Sequence, residues 1–293
     1  MKLLIQNYTS TLSTEPLYLN ECFKRTNVIN SNLWDTNKSS TFDTLDAFTP
    51  NVLMCHYTAP TLNDIIKYLA KNKNIELVLN ITGAQDGHVG ILEGVIEKNS
   101  ISCPFFISNL HEKIHVPKTK RKLLNLLPSV DLFLPKMSLP DFNIDTAILS
   151  NSKELIEKSS IGLNTYHKIG IGVQDSYVDF GINAFNMTSL YDKYNNIILS
   201  ADLSVVFSQF FFDAVFKSKK VILKTKDQKK CNEILSNLFT KDDDQEDEEK
   251  SIEHIIKNQI KMKHNCFNRA ERLARAFKLE NAAKILNVLG SKI

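Results

Sequence analysis

The 293-residue sequence predicts an α/β protein built from two Rossmann-like halves, with helices at the carboxyl-terminal end. Three observations carry this prediction. Short apolar runs recur along the chain with helical stretches between them. The runs are continuous rather than alternating, as expected of strands buried on both faces of a parallel sheet. The length, finally, suits two domains of about 150 residues better than one.

In the first half the runs Leu3 to Ile5, Val52 to Cys55, Ile75 to Ile81, Pro104 to Ile107 and Val130 to Leu134 read as strands. Between them, Tyr18 to Thr26, Thr61 to Lys71, His88 to Lys98 and Lys120 to Leu127 read as helices. A polar passage carrying Pro135 and Pro140 follows, which places the interdomain connection between about 135 and 165 and the domains at 1–150 and 151–293. The alternation then restarts. Ile169 to Val173, Asn196 to Ser200, Ser204 to Phe207 and Lys220 to Leu223 are expected as strands, and Thr188 to Tyr194 and Gln209 to Lys217 as helices. Ser251 to His264 and Asn265 to Leu289 close the chain as helices, the second with Ala270, Leu273, Ala274, Phe277 and Leu286 on one apolar stripe.

Composition narrows the chemistry. Only nine glycines occur, and Gln6-Asn7-Tyr8-Thr9-Ser10 stands where a glycine-rich dinucleotide fingerprint would follow the first strand. There is no P-loop, no G-x-S-x-G elbow and no zinc spacing among the seven histidines, so hydride transfer, P-loop phosphoryl transfer and zinc hydrolysis lose ground. Five cysteines scattered singly read as buried free thiols. No window approaches the roughly 18 apolar residues of a membrane span, and with no secretory leader the expected location is cytoplasmic.

A formal charge of +3 conceals one acidic run, Asp242, Asp243, Asp244, Glu246, Asp247, Glu248 and Glu249; without those seven carboxylates the remainder carries +10. So basic a body favours anionic ligands such as nucleotide phosphates or nucleic acid, and the basic stretch Lys118 to Lys122 adds to it. The run itself reads as a solvated loop, because like charges repel.

The segment Ser208-Gln209-Phe210-Phe211-Phe212-Asp213-Ala214-Val215, followed by Lys220-Val221-Ile222-Leu223, is the most informative. It reads as a strand, a turn capped by Ser208 and a helix whose free N–H groups would cradle a diphosphate, with Asp213 one turn on at a sugar hydroxyl. The plainer alternative makes the Phe run core and Asp213 a solvent-facing helix residue.

The segment resembles the nucleotide-binding stretch of GT-B glycosyltransferases. Tyr166-His167-Lys168 before a glycine-bearing strand, and His264-Asn265-Cys266-Phe267-Asn268-Arg269-Ala270, resemble the second half of CgeB-like members, and CDP-glycerol transferases share related patterns. Ser218-Lys219-Lys220 departs from their usual Gly-x-Pro, and Asp213 stands where Glu is commoner. The resemblance implies two Rossmann-like domains facing a cleft. A nucleotide-sugar donor would be held by His167, Ser208, Gln209, Asp213 and His264, the acceptor would lie on the first domain, and no metal or other cofactor would be needed. The acceptor could be a glycan, a small molecule or nucleic acid. In the first half, the loop Gly83 to His88 offers Asp86 or His88 as a general base for an acceptor hydroxyl, against the plainer reading of a turn and a helix cap. His56 and Asn7 end strands at comparable positions, and Arg269, Arg272 and Arg275 read as a solvated basic face.

Overall fold

The computed structural model describes residues 1–7, 13–35, 40–133, 143–173, 175–183, 187–217, 220–239, 260 and 263–293. The acidic run, Ser218-Lys219, Leu134 to Pro140 and most of the expected helix Ser251 to His264 lie outside them. The chain is α/β with two parallel sheets and carboxyl-terminal helices, as the sequence predicts. It divides into a first unit of Met1–Thr9, Glu15–Leu127 and Phe267–Lys292, and a second of Ser10–Thr14, Pro128–Cys266 and Ile293. The division thus falls at 127/128 rather than 150/151, and the last helices return to the first unit.

The first unit runs β1 (Lys2–Gln6), α1 (Glu15–Lys24), β2 (Asn30–Trp34), α2 (Thr41–Phe48), β3 (Val52–His56), α3 (Leu62–Lys71), β4 (Glu76–Asn80), α4 (Asp86–Lys98), β5 (Phe106–Ser108) and β6 (Leu123–Asn125). All neighbours are parallel, in the order β2-β1-β3-β4-β5-β6. The apolar runs occupy its middle: Leu3 to Ile5, Leu53 to Cys55 and Leu77 to Leu79 are at most 1% exposed. Each such side chain contributes about 1.5–3 kcal/mol relative to remaining in water. On α3, Ile65, Ile66, Tyr68 and Leu69 share the buried face, while the Lys67–Asp64 ion pair lies on the solvent side. Two expectations fail here. Lys120 to Leu127 contributes the edge strand β6 instead of a helix, and Val130 makes only an isolated bridge to Asn265.

The second unit holds β7 (Thr146–Ser150), α5 (Lys153–Ser159), β8 (His167–Ile171), β9 (Phe180–Ile182), α6 (Met187–Tyr191), β10 (Asn196–Ser200), α7 (Leu203–Val206), α8 (Gln209–Lys217), β11 (Lys220–Lys224) and α9 (Gln228–Leu238). Its sheet is parallel throughout, ordered β11-β10-β7-β8-β9. Renumbered within the unit this is 3-2-1-4-5, the first five strands of the dinucleotide-binding order. The segment expected as the strand Ser204 to Phe207 is the short helix α7, and α8 has the bounds read from the sequence. Gly170 in β8 lies so close under the returning chain that a Cβ there would stand 2.2 Å from the Val173 carbonyl oxygen.

After the second unit come α10 (Cys266–Ala276) and α11 (Glu280–Gly290). They break at Lys278, whose φ of 60° is left-handed, so the single expected helix becomes two. All five cysteines are free and buried, and burial pushes the Cys103 thiol up to about 12. Among the described residues, no helix is long and apolar enough to cross a membrane.

Candidate functional site

In the second unit the strand order reverses between β7 and β10, because the chain leaves β7 toward β8 on one side and returns to β10 on the other. Crevices outside the carboxyl ends of strands at such a reversal are where open parallel sheets take ligands. The two strands end in Ser150 and Ser200, both fully buried. The Ser200 hydroxyl donates to the Leu155 carbonyl at 3.2 Å and accepts from Ser159 at 2.7 Å; that of Ser150 accepts from the Ser152 N–H at 3.0 Å. These bonds close the floor. Immediately above it Asn151 donates through Nδ2 to Asp202 at 3.5 Å, joining the turns after β7 and β10, while its Oδ1 is buried with no partner. A buried acceptor left unmade costs about 1–3 kcal/mol, which a ligand hydroxyl or base edge would restore. Lys153, Lys224 and Lys226 sit at the same carboxyl ends; Lys153 pairs with the exposed Glu157 at 3.9 Å and Lys226 with the exposed Glu154 at 3.5 Å.

Three of the residues expected at the donor are drawn together nearby, for a different purpose. Gln209 and Asp213 have no solvent exposure and Ser208 only 5%. The Ser208 hydroxyl donates to the Val205 carbonyl at 2.6 Å and so ties α7 to α8. Gln209 accepts the Thr14 N–H at 2.9 Å and donates to Asp213 at 3.2 Å. Asp213 accepts the Asp131 N–H at 3.3 Å, and the Asp131 carboxylate takes the Thr14 hydroxyl at 2.5 Å. Burial, and next the neighbouring Asp131 charge, hold the Asp213 carboxyl well above the usual carboxylate range. The side chains of Ser208, Gln209 and Asp213 are therefore spent on a buried network, and the reading of Asp213 as solvent-facing fails.

His167 opens β8, at the amino end of the sheet, and its Nδ1 lies 2.6 Å from the Tyr194 hydroxyl. That is the end of the sheet opposite the crevice. His264 is half-buried, its ring 5.0 Å from Phe212 and its carbonyl accepting the Val130 N–H at 2.9 Å.

In the first unit, Asp86 begins α4 and accepts the Lys118 N–H at 2.9 Å, with the Lys118 ammonium 3.9 Å away. His88, two residues on, is exposed, with its ring 6.5 Å from Tyr57. Gly83, at φ 80°, supplies the turn from β4 into this helix. His56 ends β3, and burial lowers its pKa against the opposing pull of Glu15. The basic stretch is partly consumed: Arg121 donates to the Cys103 carbonyl at 2.9 Å.

Arg269 departs furthest from expectation. It is 3% exposed, not solvated, whereas Arg272 and Arg275 are exposed. Its guanidinium forms a buried ion pair with Glu15 and donates to Asn109 Oδ1 at 2.7 Å and to the Leu127 carbonyl at 2.6 Å. Glu15 accepts in addition from Asn109 at 2.6 Å and Asn80 at 3.2 Å. The network closes over the carboxyl ends of β4 and β5 and pins α10 to this unit.

No protein-family model matches the sequence, and no curated protein is similar to it. Among solved structures it is similar to the spinosyn forosaminyltransferase SpnP, at 10% identity and TM-score 0.46 over 100% of this chain and 95% of that one. The SsfS6 glycosyltransferase of Streptomyces sp. SF2575 gives 8% and 0.42 over 99% of each chain. The spinosyn rhamnosyltransferase SpnG complexed with thymidine diphosphate gives 8% and 0.42 over 100% and 96%. At these values none of them assigns a role to a residue of this chain.

Proposed function

We propose that the chain is a glycosyltransferase that takes a nucleotide-sugar on its second unit and passes the sugar to an acceptor hydroxyl without a metal. The observation that carries this reading is the reversal of strand order between β7 and β10, with the partnerless Asn151 Oδ1 at its carboxyl edge. The sequence resemblance of the same half to GT-B transferases agrees with it. In this reading Asn151 accepts from the nucleoside, and Lys153, Lys224 and Lys226 supply positive charge where the diphosphate departs. Fixed cations stabilise charge that develops in the transition state, the role a metal would otherwise take. Ser208, Gln209 and Asp213 act from behind, by fixing α8, and His264 stands as a candidate donor contact. On the first unit His88 is the base that accepts the acceptor's proton, since Asp86 is already engaged by Lys118.

A second reading has one observation in its favour: the residues most like a transferase donor site are used for internal bonds, as a catalytically degenerate binding protein would also show. Incubation with UDP-, GDP-, CDP- and dTDP-sugars separates the two. Release of nucleoside diphosphate, reduced at least about tenfold by His88→Ala, is the expected result. No release from any of the four refutes catalysis, whatever binds.

A further inference from the structure

A cavity of about 720 Å3 opens in the first unit between the carboxyl ends of β1 and β2 and the helix α2. Asn7, Asn32, Trp34, Asp35, Asp43 and Phe48 line it. Its size falls within the range of small-molecule sites. Two of its polar atoms are buried without any partner: the Trp34 indole N–H, on a residue 1% exposed, and Asn7 Oδ1. One is a donor and the other an acceptor. Among the described residues β2 is an edge strand, with no further strand beside it.

We propose that this cavity binds a saccharide. A buried donor and a buried acceptor lacking partners call for a ligand whose groups both give and take hydrogen bonds, and a sugar hydroxyl does both. The carboxylates of Asp35 and Asp43 and the carboxamide of Asn32 add acceptors for further hydroxyls, while the partly exposed Leu33 and Phe48 side chains supply apolar surface for the C–H faces of a pyranose. Charge decides against the main competitor. The described lining holds two carboxylates and no Lys or Arg, and the nearby Lys2 ammonium is bonded to the Phe48 carbonyl and Thr49 hydroxyl, so the described lining offers a phosphate carboxylates and no cation. The cavity therefore disfavours nucleotides and nucleic acid. This deepens the proposed function by naming the acceptor class as a glycan, and as an acceptor assignment it rests on that reading.

The chain contains one tryptophan, and it lies in this cavity, so tryptophan emission is a local reporter. The full chain is titrated with glucose, galactose, mannose and N-acetylglucosamine, each to 50 mM (roughly the ceiling for weak sites). A saturable change in emission with at least one sugar is expected, weakened about tenfold or more by Asn7→Ala. Trp34→Phe, which keeps an aromatic ring and removes the N–H, is followed by saturation-transfer NMR and should lose the same sugar while its Tm stays near that of the parent. An unchanged emission with all four sugars overturns the saccharide site, as does equal binding by both variants or a saturable response to UDP or CDP alone. Sugar binding in a protein that takes no nucleotide leaves the cavity standing and refutes the transferase.

Discussion

Replacing Asp213 tests whether the first turn of α8 is a structural knot. The native side chain is fully buried, accepts from the Asp131 N–H at 3.3 Å and from Gln209 at 3.2 Å, and is surrounded by the Asp131 carboxylate, Thr14, Tyr191 and Lys217. Asp213→Ala strands the Asp131 N–H and takes one of the two acceptors of the Gln209 amide, which keeps the Thr14 hydroxyl at 3.2 Å; at about 1–3 kcal/mol for the first loss and about 1 kcal/mol for the second, a total near 2–4 kcal/mol is expected, seen as a fall in Tm of about 5–10 °C. Asp213→Asn keeps an acceptor for the Asp131 N–H and cannot ionise. Because the folded pKa is raised above its unfolded value of about 3.9, the native carboxyl contributes full stability below that pH and loses it as pH rises toward the folded value. The loss is at most about 1.4 kcal/mol per pH unit. The Tm of Asp213→Asn should therefore gain on the parent as pH rises above about 4. An Ala variant as stable as the parent, or an Asn variant whose difference from it does not change with pH, would refute a buried Asp213 carboxyl with a raised pKa.

Arg269→Met should destabilise the chain by about 3–5 kcal/mol, since it strands Glu15 as a buried charge; Glu15→Gln with Arg269→Met should recover part of that, measured by urea unfolding. Gly170→Ala places a Cβ against the Val173 carbonyl, so a loss of about 1–3 kcal/mol or more is expected, whereas Gly94→Ala, in open space on an exposed turn of α4, should gain about 0.5–1 kcal/mol. Equal effects of the two alanines in thermal melts would contradict the crowding at Gly170.

Central strands and long amphipathic helices were readable because burial on both faces writes an uninterrupted apolar run, as in β1, β3, β4 and β10. Edge elements do not write one. Asn30-Ser31-Asn32-Leu33-Trp34 gives β2 no period to detect, and Leu123 to Asn125 is too short to outweigh the helix formers around it. Thr146 to Ser150 lies in a stretch polar enough to pass for a linker, which displaced the expected boundary. Leu203 to Val206 has the residues of a strand, yet Asp202, extended at φ −64° and ψ 153°, starts a helix there. The buried networks lay beyond local reading altogether: Thr14 is 195 residues from Gln209, and Glu15 is 254 from Arg269. Glu15 and Pro16 in the first turn of α1 mark locally where that helix begins.

The most direct test of the account is calorimetric titration of the full chain with UDP, GDP, CDP and dTDP, repeated on Asn151→Leu. One nucleotide should bind with a Kd of about 1 mM or tighter, and Asn151→Leu should weaken it about tenfold or more with only a small fall in Tm, because the native Oδ1 has no protein partner to lose and the Nδ2 bond to Asp202 is long and exposed. Binding of none of the four, or binding unaffected by Asn151→Leu, would contradict a nucleotide site at the reversal between β7 and β10.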